Sequence, residues 1–230
     1  MHRTALAYAY EARTTDYDGA LSERLLTAAE ADNRIAYAVA DGDEIAPDTD
    51  LSGRLTITRT ITGWDTASSQ ETSTRRRVIR LNPTVRPRRL TKRQHEDLRL
   101  VLGQEDTSMP AWRDGARVRT GFAAIPPAAA ERLFAAGWLI EERDVHRTVS
   151  VSYAGRVAMV LHEHQTETGY RGTDREVVRT DGSRHWASGD PLYRSLCSCG
   201  HRAEPLFERK EAAQAASRTH RADALRALFT

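Results

Sequence analysis

Residues 90–103, LTKRQHEDLRLVLG, decide how the middle of this chain is read. Thr91 stands where a helix N-cap accepts from the first free amides. Gln94, three places on, answers back to the cap's own N–H, which completes a capping box. Leu98, Val101 and Leu102 follow at i, i+3 and i+4, forming one apolar stripe. Gly103 closes the run. The spacing predicts a helix that opens at Thr91 and packs that stripe against a core.

Downstream, QEDTSMPAWRDGARVRTGFAAI (104–125) is rich in Gly and turn formers and holds one short strand candidate, ARVRT. PPAAAERLFAAG (126–137) sets prolines in a first turn and ends on Gly137 as a C′ glycine, which predicts a second helix. WLIEERDVHRTVSVS (138–152) reads as two alternating runs about a charged turn. YAGRVAMVLHEH (153–164) reads as a third helix behind Ser152 as N-cap.

Upstream, RLTITRTITGW (54–64) alternates Leu55, Ile57 and Ile61 with Thr and Arg, the pattern of a strand with one wet face. ETSTRRRVIRL (71–81) is its returning partner, giving a two-stranded ribbon. Nearer the N-terminus, TALAYAYEAR (4–13) suits a strand. GALSERLLTAAEADN (19–33) suits a helix with Leu21, Leu25, Leu26 and Ala29 on one face, and RIAYAVADG (34–42) a second strand. GDEIAPDTDLSG (42–53) reads as an acidic connector. The fold class expected is α+β, divided into a small α/β unit (1–50), a β-ribbon with a basic arm (51–89), a three-helix centre with a hairpin (90–165), and a β-hairpin with a Cys/His knuckle and final helix (166–230).

A chain of 230 residues with 40% hydrophobic and 29% charged residues carries enough apolar surface for a packed core and is long enough for more than one module. It contains no apolar run near the roughly 18 residues that a membrane span needs, and its N-terminus lacks a signal-type apolar segment, so a cytoplasmic location is expected. Lys92 and Lys210 are the only lysines. Arginine is the better phosphate fork, but a GC-rich coding sequence produces the same bias.

The net charge of +2 hides a local excess. Between Ser73 and Gln94 the chain places Arg75, Arg76, Arg77, Arg80, Arg86, Arg88, Arg89, Lys92 and Arg93 with no acidic residue among them. Such a run neutralises phosphates and gains sequence-independent affinity by releasing counterions; the bland alternative is a solvated charged face. Aromatic residues are too sparse there to stack bases, which favours duplex DNA over single strands.

The two cysteines sit in SLCSCGHRAEPLFERKEAAQAASRTH (195–220). Cysteines one residue apart cannot staple distant segments. In a reducing compartment they stay thiols or become metal ligands. Cys197, Cys199 and His220, the last presented by an Ala-rich helix, form a candidate set for one structural zinc, with Gly200 allowing a tight turn. The fourth ligand is open among His201 beside the knuckle, Asp223 one turn beyond His220, and the sequence-remote pair His162 and His164. No catalytic frame such as H-E-x-x-H is present.

Three resemblances accompany these readings. LTKRQHEDLRLVL, AAAERLFAAGWLIEE and VSVSYAGRVAM resemble the first helix, the recognition helix with its trailing glycine, and the wing with its following helix in the MarR-like winged helix-turn-helix family. This implies a DNA-binding winged helix over about residues 90–164, with Arg132 and the wing residues Arg143, His146 and Arg147 as lesser contacts. The family's second helix has no counterpart between Gly103 and Pro126. The recognition segment offers only Glu131 and Arg132 among alanines, so a docking role toward a protein partner stands beside DNA binding. The C-terminal Cys-x-Cys-Gly with its Ala-rich helix ending in His resembles a small module of actinomycete proteins and their phages and plasmids, which implies a mobile-element setting. Arg13, Glu23, Arg24, Asp50, Ser52, Gly53 and Arg54 fall as in the opening of a serine recombinase catalytic domain, with Thr14 or Thr15 at the nucleophile position. That implies at most a catalytically inactive relative.

Overall fold

The computed structural model describes residues 8–48, 52–65, 70–84, 89–105, 107–121, 123–142, 146–171, 175–187, 189–204 and 206–229. It is a mixed α/β protein with, among the described residues, five α-helices and several small antiparallel sheets. The chain divides into one unit of residues 1–162 with 225–230, and a second of residues 163–224.

The first unit opens with a hairpin of β1 (Tyr8–Thr15) and β2 (Leu21–Thr27), then helix α1 (Ala28–Ala40). Strands β3 (Glu44–Pro47), β4 (Leu55–Asp65) and β5 (Gln70–Pro83) follow and complete a five-stranded antiparallel sheet in the order β2-β1-β5-β4-β3. The expected ribbon is thus present as β4 and β5, but its base is the middle of a sheet. The boundary expected at residue 50 falls inside that sheet, because β1 pairs with β5 from Tyr10 opposite Pro83 to Thr15 opposite Val78. β3 also lies within the segment read as a connector.

Two N-terminal expectations are corrected. The helix expected over 19–33 is strand β2 followed by the start of α1, and the strand expected over 34–42 is the rest of α1. The reason lies in Thr27 and Glu30, a capping box with both reciprocal bonds formed, which fixes the helix start nine residues into the expected helix region. Ala28, Ala31, Ile35 and Ala38 are the buried face of α1, a period of 3.6, whereas Tyr37 and Val39 are exposed. Leu21 and Leu25, offered as a helical stripe, lie exposed on β2; only Leu26 is buried.

α1 covers one face of the sheet. Tyr10, Ala12, Leu26, Leu55, Ile57 and Leu81 are almost wholly buried, and the strand registers place them all on that face. The opposite face displays Arg13, Thr56, Thr58, Arg76 and Arg80.

The centre of the first unit follows the sequence closely. α2 (Lys92–Leu102) carries the Thr91/Gln94 capping box and is capped by Gly103, with Leu98 and Val101 fully buried. Where one short strand was expected, three form a sheet: β6 (Trp112–Asp114), β7 (Arg117–Thr120) and β8 (Ala123–Ile125). Strands of three or four residues give a linear reading too few positions to establish a period, although β7 does alternate exposed and buried. Gly115 and Gly121, at φ of 60° and 56°, supply the left-handed positions of their turns. α3 (Pro127–Ala135) ends before Gly137, whose φ is 69°; β9 (Leu139–Glu141) and β10 (Val149–Val151) pair, and α4 (Tyr153–Glu163) follows. Among the described residues no helix lies between α2 and α3. A core of Leu98, Val101, Val118, Ile125, Leu133 and Val151, with their neighbours, joins these elements.

Two carboxylates tie α4 into the first unit. Both oxygens of Asp32 on α1 accept from the Tyr153 N–H, at 3.0 and 2.9 Å, at the start of α4. Glu105 accepts from the Val151 N–H at 2.8 Å and pairs with Arg156. Ser152 accepts from the Gly155 N–H at 3.0 Å, the N-cap role expected of it.

In the second unit, β11 (Thr166–Arg171) pairs with β14 (Leu192–Cys197), β12 (Arg175–Val178) pairs with β13 (Arg184–Ala187), and α5 (Lys210–Arg226) follows, its last residues being assigned to the first unit.

Candidate functional site

The Cys/His knuckle is built by the end of β14 and the turn after it. Cys197 accepts the Gly200 N–H at 2.9 Å and donates its own N–H to the His201 carbonyl at 2.9 Å, while Gly200 sits at φ 92°. That reversal sets Cys197 and Cys199 on one side of the turn. A second anchor comes from Ser198, whose hydroxyl donates to the Glu163 carbonyl at 2.6 Å and accepts from the Gln165 N–H at 2.9 Å. These bonds bring the segment just after α4 against the knuckle, and with it His164.

The Sγ atoms of Cys197 and Cys199 and ring nitrogens of His164 and His220 all lie within 4.8 Å of one another. His164 Nδ1 is 3.1 Å from His220 Nε2, Cys197 Sγ is 3.7 Å from His164 Nδ1, and Cys199 Sγ is 3.3 Å from His220 Nε2. A metal held at about 2.0–2.3 Å by two sulfurs and two nitrogens in a tetrahedron separates its ligand atoms by roughly 3.3–3.8 Å. These three separations are close to that scale and the rest lie within 4.8 Å, so the four donors could hold a metal ion. Burial pushes the Cys197 thiol up, and burial together with His201 and His164 pushes the His220 imidazole down. A neutral imidazole is the form that ligates a metal.

Of the fourth-ligand alternatives, His164 joins the group. His201 instead stacks flat on His220, centroids 4.0 Å apart and planes at 6°. His164 takes its place in the expected ligand set: the turn that brings Cys197 and Cys199 close to His164 and His220 leaves His201 stacked beside the His220 ring. His162 belongs to the first unit, its Nδ1 3.1 Å from the Leu90 carbonyl and its ring stacked on His95 at 4.4 Å. Spacing could not single out His164, since its partnership rests on the bonds made by Ser198.

The basic run has a different character. β1 pairs with β5 only from Val78 onward, and β3 with β4 only up to Thr58. From Arg59 to Asp65 and from Gln70 to Arg77 the two strands therefore pair with each other alone, as a two-stranded ribbon extending from the sheet. Arg75 lies opposite Ile61 and Arg76 opposite Thr60; both arginines are exposed, and neither makes an ion pair among the described residues. The same holds for Arg80, Arg89 and Lys92.

Other members lie near carboxylates that the sequence interval did not contain. Arg77 has Asp16 at 3.8 Å, and Arg93 reaches Asp97 at 3.2 Å one turn along α2. Arg147, the only described non-glycine residue at positive φ (52°), is held by Glu141 at 2.6 Å. Its charge is therefore committed within its own hairpin. His146 and Arg132 are exposed. Arg86, Arg88 and Arg143 lie outside the described residues. The exposed side of α3 carries Ala128, Glu131, Arg132 and Ala135, which offers few donors for base edges.

Thr14 is 7% exposed, on the sheet face beneath α1. Arg13 is paired with Glu11 and Glu23, and Arg54 with Asp48 and Ser52. Asp50 lies outside the described residues. No helix of the described residues is long and apolar enough to cross a membrane. No family model, curated protein or solved structure matches this chain.

Proposed function

We propose that this chain is a duplex DNA-binding protein, a regulator or accessory factor of a mobile element acting in the cytoplasm, which grips DNA mainly through phosphates. One observation carries the reading: the laterally unpaired ribbon of β4 and β5 displays Arg75 and Arg76 to solvent with no carboxylate partner among the described residues. A two-stranded ribbon is narrow enough to enter a major groove or lie along a backbone. Arg80, Arg89 and Lys92 extend the charge, and the winged-helix-like centre from α2 to α4 serves as its platform. The reading assigns no catalysis.

The Cys197, Cys199, His164 and His220 cluster takes one zinc in this reading, held for folding. Two thiolates with two imidazoles is a common structural donor set. Among the described residues of the second unit, the buried ones are Ser195, Ala203, Ala213, Ser217 and Ala222, small side chains that supply little hydrophobic stabilisation. A metal clip makes up for such a core.

The test is a mobility shift with a duplex of arbitrary sequence over a range of salt. Binding should fall linearly on a log–log plot, with slope about −0.9 for each phosphate neutralised. The Ala-rich exposed side of α3 favours a second reading, a protein-docking adaptor. No shift at any salt, with a protein partner retained on the immobilised chain, is the outcome that selects it.

A further inference from the structure

At the root of the ribbon, α1 and the two strands enclose a cleft of about 240 Å³ whose charged and polar lining is Arg34, Tyr37, Asp41, Asp43, Arg59 and Arg77. Its charges do not cancel evenly. Arg59 takes both acids: it donates to the two oxygens of Asp43 at 2.8 and 3.0 Å and to Asp41. That leaves two guanidinium groups on the same cleft. Arg77 has only Asp16, at 3.8 Å, and its Nε is buried with no hydrogen-bond partner. Arg34 makes no ion pair among the described residues. Its guanidinium is pushed below the usual arginine range by burial first, then by Arg24 and Arg77, and Glu30 offsets this only in part.

A buried guanidinium donor left unmade is costly, and an oxyanion with several acceptor oxygens relieves it. We infer that the cleft between α1 and the base of the β4–β5 ribbon is a phosphate-binding site, with Arg34 and Arg77 donating to the phosphate oxygens. Arginine forks suit tetrahedral oxyanions, and the engaged Asp41 and Asp43 fix Arg59 as the wall of the site. Arg75 lies two residues from Arg77, on the same face of β5. A phosphate in the cleft is therefore in line with the ribbon's exposed charge. The phosphate comes either from a DNA backbone or from a free phosphorylated small molecule, and the site itself does not depend on DNA binding.

Thermal unfolding of the full chain in inorganic phosphate, compared with sodium chloride at matched ionic strength, tests the site. Phosphate should raise the midpoint by about 2–4 °C beyond chloride at roughly tenfold its Kd. Arg34→Gln and Arg77→Gln should each abolish the difference, while Arg218→Gln, an exposed change in α5, should keep it. Equal midpoints in the two salts for the wild type, or an undiminished difference in Arg34→Gln, overturns the site. Arg34→Gln carries the test alone if the Arg77 variant does not fold. A duplex titration then separates the sources. A salt slope reduced by about one in Arg34→Gln assigns the phosphate to DNA. Loss of the phosphate effect with unchanged duplex binding assigns it to a small molecule. A phosphate effect in a wild type that shifts no duplex upholds the cleft and rejects DNA binding.

Discussion

His164 Nδ1 and His220 Nε2 stand 3.1 Å apart although 56 residues separate them in the chain. Two imidazole nitrogens at that distance, with the thiols of Cys197 and Cys199 beside them, form a donor set that a single cation satisfies at once. The stack of His201 on His220 limits the rotation of that ring and favours one orientation for its nitrogen.

His164→Ala should therefore lose bound zinc, lowering affinity at least a hundredfold, while His201→Ala should retain it with a loss of about tenfold or less. Native mass spectrometry with a competing chromophoric chelator reads both. Equal losses in the two variants would return His201 to the ligand set.

Removing the metal should loosen the second unit selectively, because its buried residues are alanines and serines. After chelation, amide exchange within 163–224 should rise by at least tenfold, and amides of α2 and β7 should change little. Uniform exchange in both states would mean that the cluster is not a folding clip.

Arg75→Ala with Arg76→Ala should weaken duplex binding by tenfold or more near 0.1 M salt and flatten the log–log salt slope by about two. Arg147→Ala should have a smaller effect, since Glu141 already engages that guanidinium. Fluorescence anisotropy at several salt concentrations measures the slopes.

Asp32 makes stability depend on pH. Its carboxyl is pushed up to about 7, chiefly by burial and further by Glu105, against the Tyr153 N–H and Arg156, which pull it down. In the unfolded chain it titrates near 4. Between these values the folded state binds more protons, so this group's contribution falls as pH rises from about 4 to about 7 and is level above that. Urea unfolding should show a wild type less stable at about pH 8 than at about pH 5, by on the order of 1 kcal/mol or more. Asp32→Asn, which keeps an acceptor for Tyr153, should remove most of that difference.

Gly155 is packed against backbone. A Cβ there would overlap the Trp138 carbonyl oxygen and meet Val151 Cγ1 at 2.8 Å. Gly155→Ala should destabilise the first unit by about 2–3 kcal/mol, seen as a lowered denaturation midpoint with an unchanged m-value.

Local chemistry was legible wherever a signal is complete within a few residues. The Thr91/Gln94 box, the Ser152 cap, the trailing Gly137 and the alternation in β4 all predict what forms, because each satisfies backbone groups or buries side chains at a fixed short spacing. The same local signal at Thr27 and Glu30 was overridden by the looser spacing of Leu21, Leu25 and Leu26, which pairing with β1 turns into a strand.

The sequence alone determined that the middle of the chain carries three helices with a hairpin between the second and third, that a basic strand returns on a threonine-rich one, and that Cys197, Cys199 and His220 form a candidate donor set. Which arginines stay unneutralised, and which histidine completes the set, was decided only by tertiary structure. Asp16 reaches Arg77 through strand pairing, and Ser198 draws His164 to the knuckle through two hydrogen bonds. Both depend on contacts between segments far apart in the chain, which carry no periodicity for a linear reading to detect.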